Sequence, residues 1–492
     1  MKNNIIKLMI LAVLTISVNA CDDYIDISKE GQQNTENFFN SQQDYEDALI
    51  GTYDLLGTNY LIHILGEIAS DNALCGGERP SDVLEWQEID DMKHNPDNLA
   101  LRNVWKWMYA GIGRANYIVE FQNQVDFDRK PELLAENLFL RAFYYFQLVK
   151  FFGDVPLVVD GRISVEGAQS IGRTPKADVY DKIEQDLITA TNSLPWIQGQ
   201  PGRATKGAAW ALLGKVYLFQ KEYDKAADAF DKVIKSNNYD LVEDFGTIFL
   251  NDNENNEESV FEIQYSIGVE GASYEELEYS EGNVAAGFMS PRFTGEKVNW
   301  GPYDDGNTFS TPVQALVDLY DVADTRLNAT FFDIEAYAAQ IPDLKFDKRN
   351  EYTGYYNFKY MVNTEANLPD LRISHGNNYR AIRYADVLLM AAEANLQATS
   401  PKGDPKALLD EVRDRAFGGD TGYRVPATLE NILQERRLEL AGEGHRFFDQ
   451  VRTEKTSTIP GFEVNKHELF PIPRLEIELA GNTWSQNPGY SN

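Results

Sequence analysis

Apolar residues recur every three to four positions over long stretches of this chain, which is the pattern of amphipathic helices. This periodicity predicts helices over residues 41–56, 103–121 and 131–152. Ser41 and Asp44 have the spacing of a capping box, so the first helix is expected to begin there and to end at Gly57. Gly153 is expected to close the third helix, ahead of an extended segment over residues 155–159.

A pair of antiparallel helices is predicted over residues 208–238. The tetratricopeptide pattern is matched there by Trp210, Leu213, Gly214, Tyr217, Ala226 and Phe230. Small side chains at Gly214 and Ala226 let two helices approach, while the large residues fill the space between them. A second, weaker match to the same pattern follows, with helices predicted over 385–397 and 405–416. The fold class predicted is mainly α: a tetratricopeptide-like helical repeat scaffold with long irregular loop insertions and a few short strands.

The character of the chain changes between these two helix pairs. Residues 258–265 alternate in polarity like a strand. Residues 268–310 then lose all periodicity and become rich in glycine and aromatic residues. A loop this long inside a compact protein is typical of a functional segment, so we expect ligand contacts there.

The amino terminus has the layout of an export signal. Lys2 and Lys7 precede a short apolar run over residues 8–18, which is too short to span a bilayer as a stable helix. The run is followed by Cys21, as in bacterial lipoprotein signals, where the cysteine is lipidated after cleavage. We therefore predict a signal peptide at residues 1–20 and a membrane anchor of acyl chains on Cys21; ordinary secretion is the alternative.

Composition narrows the range of partners. The formal net charge is −32, and no Lys/Arg cluster offsets it, so the chain is unsuited to nucleic acid. If Cys21 is acylated, Cys75 has no partner for a disulfide and is expected to be an inert thiol in a turn at residues 74–77. Aromatic residues make up 12 % of the chain, which suits both a packed helical core and a protein that stacks rings on a ligand.

Five segments carry a recognisable family pattern. They are LRAFYYFQL at 140–148, FGDVPL at 152–157, RYADVLLMAAEA at 383–394, ERRLELAGEGHRFFD at 435–449, and FPIP at 470–473 with QNPGY at 486–490. Together with the lipoprotein-type signal, they resemble the SusD/RagB family of surface glycan-binding lipoproteins over nearly the whole chain. The resemblance implies an N-terminal part at 21–250 with the helix pairs, and a C-terminal part at 251–492 with the ligand loop at about 268–310.

The resemblance also implies a function. It predicts a non-catalytic glycan-binding lipoprotein on the cell surface, anchored in the outer membrane and serving polysaccharide utilization and nutrient uptake. Such a protein captures oligo- or polysaccharide and delivers it to a SusC-like TonB-dependent transporter. Two alternatives stay open at this point: a surface binder of peptides or glycopeptides, and a surface glycosidase.

Little in the sequence indicates catalysis. The five histidines are scattered, and no metal-binding, nucleophile or phosphate-loop motif is present. No cofactor is expected; an incidental calcium ion stays open at the acidic run 252–258, which lacks the central glycine of a calcium loop. The charged residues of 435–449 lie three or four apart, as in Arg436/Glu439 and Arg446/Asp449, so we expect neighbouring pairs that support the scaffold.

Glycan binding needs aromatic faces for sugar rings and bidentate polar groups for vicinal hydroxyls. Two regions of the chain offer both, one at residues 71–86 and one at 288–303. The candidate ligand-binding residues are Asp71, Asn72, Arg79, Trp86, Phe288, Arg292, Asn299, Trp300 and Tyr303. For Trp86, Trp300 and Tyr303 the alternative is packing against the helical scaffold.

Overall fold

The computed structural model describes residues 38–267, 273–274, 276–362 and 372–491. The predicted signal at 1–20 and Cys21 lie outside the described residues, as does part of the predicted ligand loop. The helices are α1 Gln42–Asp54, α2 Asn59–Ile68, α3 Leu84–Asp90, α4 Leu99–Phe121, α5 Lys130–Phe152, α6 Val165–Ser170, α7 Lys176–Ser193, α8 Lys206–Phe219, α9 Tyr223–Ile234, α10 Val284–Met289, α11 Gln314–Val317, α12 Leu327–Thr330, α13 Ile334–Ala338, α14 Tyr384–Gln397, α15 Pro405–Ala416, α16 Leu429–Glu439, α17 Arg446–Arg452 and α18 Arg474–Leu479. The strands are β1 Ala73–Gly76, β2 Ser259–Ile263, β3 Phe293–Thr294, β4 Phe309–Pro312, β5 Phe331–Asp333, β6 Lys345–Phe346, β7 Tyr355–Asn357 and β8 Tyr379–Arg383. In this part of the chain, no helix combines the length and hydrophobicity that crossing a bilayer requires.

The first helices follow the hydrophobic pattern, with one exception. The capping box is present, since the Ser41 side chain accepts from the backbone of Asp44 and the Asp44 side chain reaches back. The expected stop at Gly57 is wrong: a 3-10 turn over Leu55–Thr58 leads directly into α2. Every residue of α2 is buried, so this helix has no polar face and leaves no helical period in the sequence.

The tetratricopeptide-like pairs are present as α8/α9 and α14/α15. A Cβ atom on Gly214 would lie 2.5 Å from the ring of Phe230, which shows why a residue without a side chain is needed where α8 meets α9. A mainly α architecture with short strands is therefore confirmed.

The strands of the described residues form two-stranded antiparallel pairs. The pair β1–β4 connects the first region that the sequence singled out, 71–86, with the residues that follow the second, and it places Leu74 opposite Thr311. Cys75 lies in β1, so its expected placement in a turn is wrong: the residues around it pair with β4 instead of reversing the chain. The thiol is fully buried, and burial raises the pKa of Cys75.

Helix α2 packs closely against the loop at residues 442–444. A Cβ atom on Gly66 would lie 2.1 Å from the carbonyl oxygen of Gly444. The amide of Gly444 donates to the Glu67 carboxylate at 2.7 Å, and His63 Nε2 lies 2.7 Å from the carbonyl oxygen of Gly442. Residues almost 380 positions apart thus share one buried contact. We call this contact of His63, Gly66 and Glu67 with residues 442–444 the α2–444 contact.

His63 makes stability depend on pH. Burial lowers the pKa of His63 to about 4, from an ordinary value of 6.5, with Glu443 and Lys359 as the charged groups that act on it. The unfolded chain binds a proton below pH 6.5 and the folded chain does not until about pH 4, so stability falls as the pH drops through this window. We expect the free energy of unfolding to fall by about 2 kcal/mol on this account between pH 7 and pH 5.

Urea denaturation at pH 7 and pH 5 measures that loss. In His63→Gln, which keeps an N–H donor and does not titrate, the pH-dependent loss should be smaller by about the same amount. An equal loss in both proteins would contradict the assignment.

Charged residues between positions 258 and 443 form a network of ion pairs that we call the buried ion cluster. Its members are Glu258, Asp324, Arg326, Lys359, Arg383, Arg415, Glu435, Glu439 and Glu443. The expected pairs along the sequence are wrong. Arg436 pairs with Asp386 at 2.7 Å and Arg446 with Asp71 at 2.8 Å, because these guanidinium groups reach carboxylates of neighbouring elements. These charged side chains therefore support the scaffold by joining different helices and loops, and not by pairing within one helix.

Candidate functional site

A cavity of about 430 Å³, which we call the aromatic cavity, is the best candidate site among the described residues. It lies between α2, α3, the start of α4 and the segment that contains α10 and β4. Three of the predicted residues, Trp86, Phe288 and Arg292, line it together, although about 200 residues separate the first from the other two. The pairing of β1 with β4 brings α3, which carries Trp86, close to the segment before β4, which carries Phe288 and Arg292.

The floor of the aromatic cavity is made of interlocking rings. The ring centroid of Trp86 lies 5.1 Å from that of Phe288 and 5.0 Å from that of Phe309. These three side chains are almost fully buried. Tyr274, in contrast, is 46 % exposed, and its centroid lies 6.2 Å from that of Phe288. Tyr274 is therefore the ring of this cavity that is best placed to stack on a ligand.

Two arginines beside the rings share one carboxylate. Asp305 Oδ2 lies 3.1 Å from Arg292 Nη1 and 2.8 Å from Arg372 Nη2. Burial raises the pKa of Asp305, and both guanidinium groups oppose that shift. Arg372 also hydrogen-bonds Tyr274. Planar guanidinium groups held this way suit bidentate hydrogen bonds to neighbouring hydroxyls.

A close backbone approach positions Arg372. A Cβ atom on Gly287 would lie 2.0 Å from the carbonyl oxygen of Arg372, so α10 and the Arg372 backbone are in direct contact. Any side chain at position 287 would push Phe288 and Arg372 apart. The glycine thus fixes the distance between the aromatic floor and the polar wall of the cavity.

Carboxylates form the remaining wall. Glu78, Asp82, Glu85 and Glu278 all line the aromatic cavity. Glu278 pairs with Lys106 at 3.1 Å; hydrogen bonds and this lysine outweigh burial and lower the pKa of Glu278. A general acid for glycoside hydrolysis needs the opposite shift. In the part of the chain that the structure describes, no group of three or more His, Cys, Asp or Glu side chains could hold a metal ion.

The other predicted residues near Trp86 lie elsewhere. Asp71 and Asn72 hydrogen-bond the guanidinium groups of Arg446 and Arg437, and Asn72 lines a different cavity. Arg79 is exposed beside the aromatic cavity, where its Nε donates to Ser81 at 3.2 Å. Sequence proximity thus did not bring these residues into one site.

Trp300 and Tyr303 pack in a second apolar cluster, around Phe293, Phe332 and Tyr356. Trp300 is only 9 % exposed; it stacks on Phe293 at 5.7 Å and donates its Nε1 hydrogen to the carbonyl of Thr294 at 3.2 Å. The Tyr303 ring meets Phe332 edge-on at 5.1 Å. Asn299 lies beside them, at the end of the 3-10 turn Lys297–Asn299. The structure therefore places Trp300 and Tyr303 in packing contacts, and all three residues lie outside the lining of the aromatic cavity.

Sequence reasoning did not single out Tyr274, Arg372 or Asn103, which also line the aromatic cavity. Tyr274 is one of the rings of the glycine-rich segment, and that enrichment was the available signal. Arg372 belongs to no motif; its backbone contact with Gly287 and its ion pair with Asp305 hold it at the site.

Two family models match the chain. Residues 257–490 match the one described as the SusD family, and residues 23–218 match one described as starch-binding and associating with the outer membrane. Among relatives, the starch-binding protein SusD of Bacteroides thetaiotaomicron is 27 % identical over 98 % of each chain.

Solved structures share the fold over almost the full length. A laminarin-binding SusD-like protein is 31 % identical, with a TM-score of 0.83, covering 92 % of this chain and 100 % of that one. Surface glycan-binding protein A from Bacteroides thetaiotaomicron, in complex with laminarihexaose, is 27 % identical, with a TM-score of 0.81, covering 91 % of this chain and 99 % of that one.

Proposed function

Because the chain belongs to the SusD family, we propose that it is a non-catalytic surface protein that binds glycan in the aromatic cavity. The observation that carries the proposal is the exposed Tyr274 ring above an aromatic floor, beside the paired guanidinium groups of Arg292 and Arg372. A sugar presents its C–H face to such a ring and its hydroxyls to such arginines.

We infer a neutral glucan as the ligand. One structural relative is described as binding laminarin, and another was solved in complex with laminarihexaose. The charge of the aromatic cavity supports the same ligand, since its four lining carboxylates outnumber its two lining arginines, which disfavours uronates and sulfated sugars. Laminarihexaose is therefore the first ligand to test.

We also propose that the protein is anchored to the outer membrane and works with a SusC-like TonB-dependent transporter. One of its family models is described as associating with the outer membrane. Acyl chains on Cys21 would hold the body at the membrane, and the transporter would take up the glycan that the aromatic cavity has captured. This delivery role is an inference from family membership and the sequence at residues 1–21.

Replacing Tyr274 with Ala is expected to weaken laminarihexaose binding at least about fivefold, because ring stacking contributes about 1 kcal/mol beyond the buried area. Isothermal titration calorimetry on the purified protein measures the change. The matched control is Tyr279→Ala: Tyr279 is 62 % exposed, on the 3-10 turn Leu277–Tyr279, and does not line the cavity. Equal affinities of the two variants would contradict the placement of the site.

The same samples test the competing functions. Incubation with laminarin should release no reducing ends, since the protein binds without catalysis. A titration with mixed peptides should give no heat. Binding of peptides without any glycan would overturn the proposed ligand class.

A further inference from the structure

A second cavity, of about 260 Å³, lies between α16 and α17 and is lined by basic side chains. We call it the arginine cavity. Its lining includes Arg437 and Arg446, with Lys455 and Glu430 exposed at its rim. A basic lining stands out on a chain whose formal net charge is −32.

Asp71 is the one carboxylate that Arg437 and Arg446 share. Its oxygens lie 2.8 Å from Arg446 Nε and 3.3 Å from Arg437 Nη2, and Thr458 donates to it at 2.6 Å. These contacts occupy Asp71, and one carboxylate leaves two adjacent guanidinium groups with an excess positive charge. Burial and the nearby Arg446 lower the pKa of Arg437, as expected for two cations held together.

Donor groups remain available for a ligand. Within the described chain, neither Nη1 of Arg437 nor Nη1 of Arg446 makes a hydrogen bond, and Lys455 forms no ion pair. Arg436 and Asp449, which also line the cavity, pair with each other at 3.1 Å. Among the lining residues, four cations, Arg436, Arg437, Arg446 and Lys455, face the two carboxylates of Glu430 and Asp449. Asp71 and the buried Glu67 act on Arg437 from behind the lining.

We propose that the arginine cavity binds a small oxyanion, the carboxylate or sulfate group of a ligand the size of one sugar. The cavity is concave and smaller than an ordinary drug-sized site, so it suits a single small group. Guanidinium groups bind carboxylate and sulfate by the same charge-assisted hydrogen bonds. This site is separate from the aromatic cavity, whose carboxylate wall disfavours anions.

Isothermal titration calorimetry at low ionic strength, with D-glucuronate, sulfate and D-glucose as separate probes, tests the proposal. Glucuronate or sulfate should bind saturably and glucose should not. Arg437→Gln should weaken anion binding at least tenfold and Lys455→Gln about threefold, since each removes one cation. Lys176→Gln is the matched control, because Lys176 begins α7 and lines neither cavity.

Two further measurements separate this site from the glycan site and from misfolding. All three variants should bind laminarihexaose like the unmodified protein, and Tyr274→Ala should bind the anions normally. Glucuronate alone or sulfate alone as ligand would identify the source of the oxyanion. Absence of saturable binding of both anions, or equal affinities in all variants, would overturn the proposal. So would binding of an acidic peptide without either small anion, which would indicate a protein partner.

Discussion

Arg383→Leu is expected to lower the free energy of unfolding by about 3–5 kcal/mol, the range for breaking a buried ion pair from one side. Arg383 lies 2.9 and 2.8 Å from the two oxygens of Glu443 and 3.0 Å from Glu439, and it also contacts Glu258. All of these side chains are almost completely buried. Removing the guanidinium group therefore leaves several carboxylates without their main partner in a medium that cannot solvate them.

Urea denaturation at pH 7 measures this loss. The matched control is Arg349→Leu, because Arg349 pairs with Glu78 at 3.2 Å at the surface, where such a pair contributes less than about 1 kcal/mol. If both substitutions lowered the free energy of unfolding by the same amount, the larger effect expected from burial of the ion cluster would be contradicted.

Acid unfolding gives an independent measurement on the same variant. Burial raises the pKa of Glu443, but Arg383 and Lys359 outweigh this effect and lower the pKa to about 2. A carboxyl group with a lowered folded-state pKa contributes stability above its unfolded value of about 4.5, and the contribution is lost as the pH falls toward 2. Arg383→Leu should lose less stability than the unmodified protein between pH 5 and pH 2.5, because the substitution has already removed most of the contribution of the Glu443 carboxylate.

Cys21→Ala is expected to abolish glycan uptake while leaving glycan binding unchanged. Without acyl chains, which contribute about 0.8 kcal/mol per buried methylene, the body should leave the membrane. Fractionation of cells measures its location, and growth on the glycan measures uptake. The matched control is Cys75→Ala, because the Cys75 thiol is buried in β1. Normal uptake by Cys21→Ala would show that another anchor acts in delivery.

The helices could be predicted where one face is apolar and the other polar, as in α4 and α9. Helix α2 could not, because it is buried on all sides and has no period. Charged residues were more misleading: the spacing of Arg436 and Glu439 favours a pair along a helix, yet Arg436 contacts Asp386. Spacing describes local neighbours, whereas a buried charge takes the partner that the fold supplies.

The candidate site was predictable in part. Trp86, Phe288 and Arg292 were selected by residue type and do meet in one cavity. Trp300 has the same residue type as Trp86 but fills the second apolar cluster, and nothing in the sequence distinguishes the two. Arg372 enters the site through a backbone contact with Gly287, which no side-chain pattern records.

The α2–444 contact has a consequence for the order in which the protein folds during its synthesis. His63 and Gly442 are 379 residues apart, so α2 has no complete binding surface until almost the entire chain has left the ribosome. Loop closure over that length is slow, and the nascent chain stays unfinished through most of its synthesis. The α2–444 contact is therefore expected to close late, after residue 444 has been synthesised.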